Sequence, residues 1–159
     1  MPRTGRVKKR ILPPDPIYQS RLVTRLINRV MQRGKKMVAQ KHVYRAFEQV
    51  KEKAGADPLE VFQKALDNVK PSMDVRPRRV GGASYQVPMP VRGDRRESLA
   101  IRWLIQAAQA RPNKEYHTFD KKLAAELLAA YKNEGGAVRK KVEIHKIAEA
   151  NKAFAHFRW

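Results

Sequence analysis

The sequence predicts a mostly α-helical single domain: about six helices with a protruding two-stranded β-hairpin. Three observations lead there. Apolar residues recur at helical spacing through most of the 159 residues. Glycines, prolines and capping residues punctuate those runs where helices should begin and end. One stretch, residues 72–91, breaks the period and turns about Gly81-Gly82. With 42% hydrophobic residues, a chain of this length can build one core.

The elements follow in order. Residues 1–16 read as an extended basic arm, because Pro13, Pro14 and Pro16 forbid a helix. From Ile17 a helical face appears in Leu22, Val23, Leu26, Ile27, Val30 and Met31, and Gly34 should end it. A second helix is expected over residues 36–54, with Val43, Phe47 and Val50 inward and Gly55 closing it. The third has Asp57 as N-cap, Pro58 at the first helical position and Glu60 nearby. Its stripe is Leu59, Phe62, Leu66 and Val69, and Pro71 stops it. A two-residue turn at Gly81-Gly82 pairs Val80 with Ala83, Arg78 with Tyr85 and Arg76 with Val87, with Arg79 and Ser84 on the other side. Pro77, Pro88 and Pro90 restrict the ribbon to a lone pair of strands or a sheet edge. Asp94 and Glu97 then read as an N-cap pair for a helix through Ala110, burying Leu99, Trp103, Leu104 and Ala107. Thr118 starts a fifth helix with Leu123, Leu127, Leu128 and Tyr131. Gly135-Gly136 separates it from a sixth containing Val138, Val142, Ile144 and Ile147. The tail, residues 151–159, is aromatic and basic, and there is no internal repeat or domain boundary.

Charge narrows the function. The chain carries 35 Lys and Arg against 15 Asp and Glu, a net charge of +20. Such self-repulsion calls for a polyanionic partner, and nucleic acid leads. An anionic membrane is the weaker alternative, since surface-binding helices back their basic face with a broad apolar one. No apolar run approaches the roughly 18 residues of a membrane span. The N-terminus lacks the apolar stretch of a secretion signal, so a cytoplasmic or organelle-matrix location is expected. With no cysteine, disulfide frameworks and thiolate metal sites are excluded.

The candidate contacts form five groups. Arg3, Arg6, Lys8, Lys9 and Arg10 charge the arm. Between Ile17 and Phe47 there is no acid, and Arg21, Arg25, Arg29 and Arg33 recur every four residues, forming a stripe that Lys35 and Lys36 extend. Like charges at that spacing repel unless an anion lies along them; a solvated face is the alternative. In the ribbon, Arg76, Arg78 and Arg79 with Tyr85 suit base stacking and phosphate contact, and a cation–π pair that steadies the hairpin is compatible with both. Arg139, Lys140 and Lys141 oppose the dipole of the sixth helix unless phosphate is present. Arg92, Arg95, Arg96 and Arg102 cluster around the fourth; Arg95 could instead pair with an acid and Arg102 cover apolar surface. The aromatic tail (Phe154, His156, Phe157, Trp159) either stacks on bases or, as the favoured reading, docks onto the body.

Catalysis finds no support. His42, His117, His145 and His156 are scattered without ligand spacing, no carboxylate pair marks a cleft, and the glycine pair lacks a P-loop continuation. No metal or cofactor is expected. A DNA-binding regulator would need a groove-reading motif, and an RNA-modifying enzyme a cofactor loop or catalytic constellation; neither is visible.

The segments LDNVKPSMDVRPRRVGGASYQVPMPV, RRESLAIRWLIQAA, GGAVRKK and EANKAFAHFRW resemble the bacterial-type small-subunit ribosomal protein seven family, collinearly over nearly the whole chain. The resemblance implies a primary binder of small-subunit ribosomal RNA in its 3′ major domain, nucleating assembly of the head. It implies contact with ribosomal proteins nine and eleven, and a hairpin near the exit-site tRNA and the messenger path. Some family members also repress their own messenger RNA. By position, RNA contact falls on the arm, on Arg21 to Lys36 and on Arg76, Arg78 and Arg79, with Tyr85, Arg95 and Arg96 beside them.

Overall fold

In the computed structural model, which describes residues 11–158, the first helix begins later than the apolar period suggests. Helix α1 spans Arg21–Val30. The delay has a local cause. The Asp15 carboxylate accepts the backbone N–H groups of Ile17 and Tyr18, each at 3.2 Å, and the Tyr44 hydroxyl at 2.8 Å. This folds residues 15–18 into a turn, and Gln19 at φ 47° completes it. Burial, with the hydrogen bond and charge of Asp15, pushes the Tyr44 hydroxyl up to about 12. Thr24 Oγ1 donates to the Pro13 carbonyl at 3.0 Å, so the root of the arm is tied to α1. Residues 11–16 hold no helix, as their prolines require. The arm cations from Arg3 to Arg10 lie outside the described residues. The helix also ends early, at Val30 rather than at Gly34.

The next two helices keep their expected bounds, α2 over Lys36–Ala54 and α3 over Pro58–Val69. The Asp57 carboxylate caps α3 by accepting the Leu59 N–H at 3.3 Å. Strands β1 (Met73–Val80) and β2 (Ala83–Pro90) form one antiparallel pair in the expected register, with Val80 opposite Ala83 and Arg78 opposite Tyr85. Gly81 at φ 56° and Gly82 at φ 90° supply the two left-handed residues that such a turn needs. Helix α4 spans Asp94–Ala110, α5 Phe119–Tyr131 and α6 Gly136–Ala150, and a 3-10 turn over Lys152–Phe157 follows.

Helix α5 packs against α2, α3 and α4, and α1 lies across α2 and α4. The core between them holds Leu26, Phe47, Phe62, Leu66, Leu104, Leu123 and Leu127, all fully buried. Each such side chain contributes about 1.5–3 kcal/mol over an exposed one. A buried carboxylate joins α4, α5 and α6. Glu126 accepts Arg111 Nε at 2.8 Å and the Ala137 N–H at 2.9 Å, near the start of α6. Gly135, at φ 94°, passes so close that a Cβ there would meet Glu126 Oε1 at 2.8 Å.

One expectation is corrected and two elements gain detail. Asp94 is the first residue of α4 and not its cap; Gly93 holds the cap position. Val142 and Ile147 of α6 remain 46% and 36% exposed, because only one side of that helix meets the body. The ribbon is not free along its length: its base packs on α6 and on the 3-10 turn, burying Val87 and Pro88. Docking of the tail is borne out for Phe154 and Phe157, while Trp159 lies outside the described residues. Phe154 and Phe157 lie 5.1 and 5.6 Å from the Tyr85 ring, and Arg158 Nε donates to the Pro88 carbonyl at 2.7 Å. No helix of the described residues is long and apolar enough to cross a membrane.

Candidate nucleic-acid interface

The basic stripe expected on α1 is divided by the fold. Arg21 and Arg29 are exposed on the helix. Arg25 is engaged: Nη1 donates to Glu97 and Nη2 to Asp94 at 3.2 Å, both on α4. The segment is free of acids only in sequence, for the fold brings two carboxylates to its centre. Arg33 lies beyond the helix end, in the left-handed region at φ 51°, and is exposed. Lys35 and Lys36 open α2 and are exposed, with Lys41 and Arg45 farther along the same helix. Those last two were not singled out in the sequence, although they sit in its acid-free segment.

In the ribbon, Arg76 and Arg79 are exposed and Arg78 is half-buried. Tyr85 is half-buried, and its ring is taken up by Phe154 and Phe157. It therefore sits in an aromatic cluster of the protein's own instead of standing open for bases. The tail rings, expected to dock, are what occupy it.

Around α4 the cations divide again. Arg95 Nη2 reaches Asp74 of β1 at 3.1 Å, so the pairing alternative holds for it. With Arg25 on Asp94 and Glu97, the first turn of α4 links α1 to the hairpin. Arg92, Arg96 and Arg102 are exposed. Arg96 and Lys141 both raise the potential at His145, so α4 and α6 bring their charge together beneath the start of the hairpin. Burial, then those two cations, hold the His145 imidazole below its ordinary value. Its Nε2 accepts the Ser72 N–H at 3.1 Å, just before β1.

At the start of α6, Arg139 is exposed, Lys140 pairs with Glu143 at 2.8 Å, and Lys141 donates to the Asn68 carbonyl at 2.7 Å near the end of α3. The last contact suits a cation, since carbonyls at a helix C-terminus carry partial negative charge. Among the described residues no three His, Asp or Glu side chains gather as metal ligands. The chemistry on offer is therefore exposed guanidinium and ammonium groups on several helices and a ribbon, held by internal ion pairs. That arrangement fits phosphate.

Comparison with known proteins decides the family. The model for ribosomal protein S7p/S5e matches residues 2–152. The chain belongs to this family. Relatives named small ribosomal subunit protein uS7 align end to end. Those of Caldicellulosiruptor saccharolyticus and Carboxydothermus hydrogenoformans are each 58% identical over 159 residues, covering 100% of both chains. That of Thermotoga neapolitana is 57% identical over 160 residues, covering 99% of both. The S7p/S5e family is one of structural ribosomal proteins and not of enzymes, in keeping with the missing catalytic constellation. The S7p/S5e match extends into the N-terminal arm and covers the basic groups from Arg3 to Lys141.

Proposed function

We propose that the chain is a structural component of the small ribosomal subunit in the cytoplasm, where it binds the 3′ major domain of the subunit's RNA as a primary binder and nucleates assembly of the head. The observation that carries this reading is the pattern of exposed cations: Arg21, Arg29, Arg33, Lys35, Lys36, Arg76, Arg79 and Arg139 remain solvent-facing while Arg25 and Arg95 hold the helices and hairpin in place. A rigid scaffold presenting separated cations suits a folded RNA junction, recognised by shape and phosphate spacing more than by sequence. The relatives' name, small ribosomal subunit protein, supports the assembly. By family resemblance, the hairpin reaches toward exit-site tRNA and the messenger path, and neighbouring surfaces meet ribosomal proteins nine and eleven.

The test is chemical footprinting on the 3′ major domain RNA with duplex DNA as competitor. Protection of a compact junction that excess DNA does not abolish is the expected result. Diffuse protection, or ready displacement by DNA, would reduce the protein to a general polyanion binder.

A further inference from the structure

The end of α1, the first turns of α2, the end of α4 and the start of α5 line an open cavity of about 410 Å³, and two of the proposed phosphate contacts, Arg33 and Lys35, stand at it. Phe119 forms one wall and Val38 another. His42 stands edge-on to Phe119, with ring centroids 6.2 Å apart at 90°, and its Nδ1 lies buried 3.4 Å from the Asp120 carboxylate without a hydrogen-bond partner among the described residues. Gln32 and Gln109, both exposed, also line the cavity, and among the described residues neither side-chain amide has a protein hydrogen-bond partner. Arg33 and Lys35 complete the lining, exposed and without an acid beside them among the described residues. Arg33 is held at φ 51°, a conformation uncommon for a residue with a Cβ, and such strain gathers where a ligand is gripped.

We propose that this cavity receives one unstacked nucleobase of the bound RNA. The inference rests on the RNA reading above and adds a specific subsite to it. An aromatic and aliphatic wall suits the face of a base. Amides that can both donate and accept suit the mixed edge of one. Two cations at the same cavity suit the phosphates on either side, which an apolar side chain of a protein partner would leave unmatched. A pocket of this kind gives a junction-binding protein a point of sequence or conformational choice that phosphate contacts alone lack.

Two variants test it on the 3′ major domain RNA with base-specific probes such as dimethyl sulfate. Gln32→Ala with Gln109→Ala removes the amides. Val38→Trp fills the cavity from a position 51% exposed, where the core is not disturbed. Both are expected to keep the wild-type melting curve and the overall footprint, to lose protection at one or a few unpaired nucleotides, and to bind roughly tenfold more weakly. Wild-type affinity and an unchanged footprint for both variants would overturn the proposal. Failure of the RNA reading itself shows separately, as a wild-type protein that protects no compact junction at all.

Discussion

The rings of Tyr85 in β2 and Phe154 in the 3-10 turn lie 5.1 Å apart and tilted at 48°, joining the hairpin to the last residues of the chain. Phe157 completes the cluster at 5.6 Å from Tyr85. Because an isolated two-stranded ribbon is only marginally stable in water, this contact, together with packing on α6 and the Arg95–Asp74 pair, fixes the direction of the hairpin. Each such ring pair contributes about 0.5–1.5 kcal/mol beyond area burial. The double variant Phe154→Ala, Phe157→Ala is expected to speed amide exchange in β1 and β2 by about tenfold while the helices exchange as before. Unchanged exchange in the ribbon would remove the tail from its support.

Arg25 and Arg29 stand one turn apart on α1 but do different work. Arg25→Ala is expected to lower stability by roughly 0.5–1 kcal/mol, the scale of a part-exposed pair, by releasing Asp94 and Glu97. Arg29→Ala is expected to leave stability unchanged and to reduce the slope of RNA affinity against salt by about one. Denaturant melts and binding at several salt concentrations separate the two. Equal loss of salt slope in both would show that Arg25 contacts phosphate despite its partners.

Stability should fall on mild acidification. The fold holds His145 below its ordinary value of 6.5, favouring the neutral ring that accepts the Ser72 N–H. The unfolded chain binds a proton near pH 6.5 that the folded chain resists, so this stability is fully present above that pH and is lost as pH falls toward the folded-state value. Protonation would also break the bond to Ser72 and loosen the hairpin at its root. His145→Ala is expected to flatten the stability profile between pH 7 and pH 5 relative to the wild type, read from denaturant titrations across that range. A profile identical to the wild type would refute the assignment.

Glu126→Ala should be among the most damaging single changes in the body. It leaves Arg111 without its buried carboxylate and the Ala137 N–H without an acceptor. The expected cost is roughly 3 kcal/mol, read from the shift of the unfolding midpoint. A change below about 1 kcal/mol would mean that water replaces the carboxylate without loss.

What was legible in the sequence is what short-range chemistry dictates. Asp57 and Pro58 announce α3, and the Gly81-Gly82 pair sets the whole hairpin register, because both depend on neighbours within a few residues. The fate of Arg25 was not legible: its partners lie 69 and 72 residues away, and a stripe of arginines looks the same whether solvent, phosphate or a distant helix faces it. Nor was the start of α1, where Gln19 at φ 47° breaks the helical path after the turn that Asp15 caps, a backbone state that no residue type there announces. The cavity beside Phe119 escaped for the same reason, since Gln32 and Gln109 come together only when α1, α4 and α5 are packed.

The three prolines of the ribbon carry a consequence for the life of the chain before it finds a partner. Pro77, Pro88 and Pro90 stand opposite Gln86, Val75 and Met73. Counting from the turn, where Val80 and Ala83 exchange hydrogen bonds, each of these falls on a position whose N–H would point away from the partner strand. The ladder between β1 and β2 thus loses no donor, while the outer rim of β1 lacks one N–H and that of β2 lacks two. A newly made copy cannot readily offer those rims to another copy as a template for stacked strands. The prolines thus blunt the hairpin's edges against strand addition by another copy.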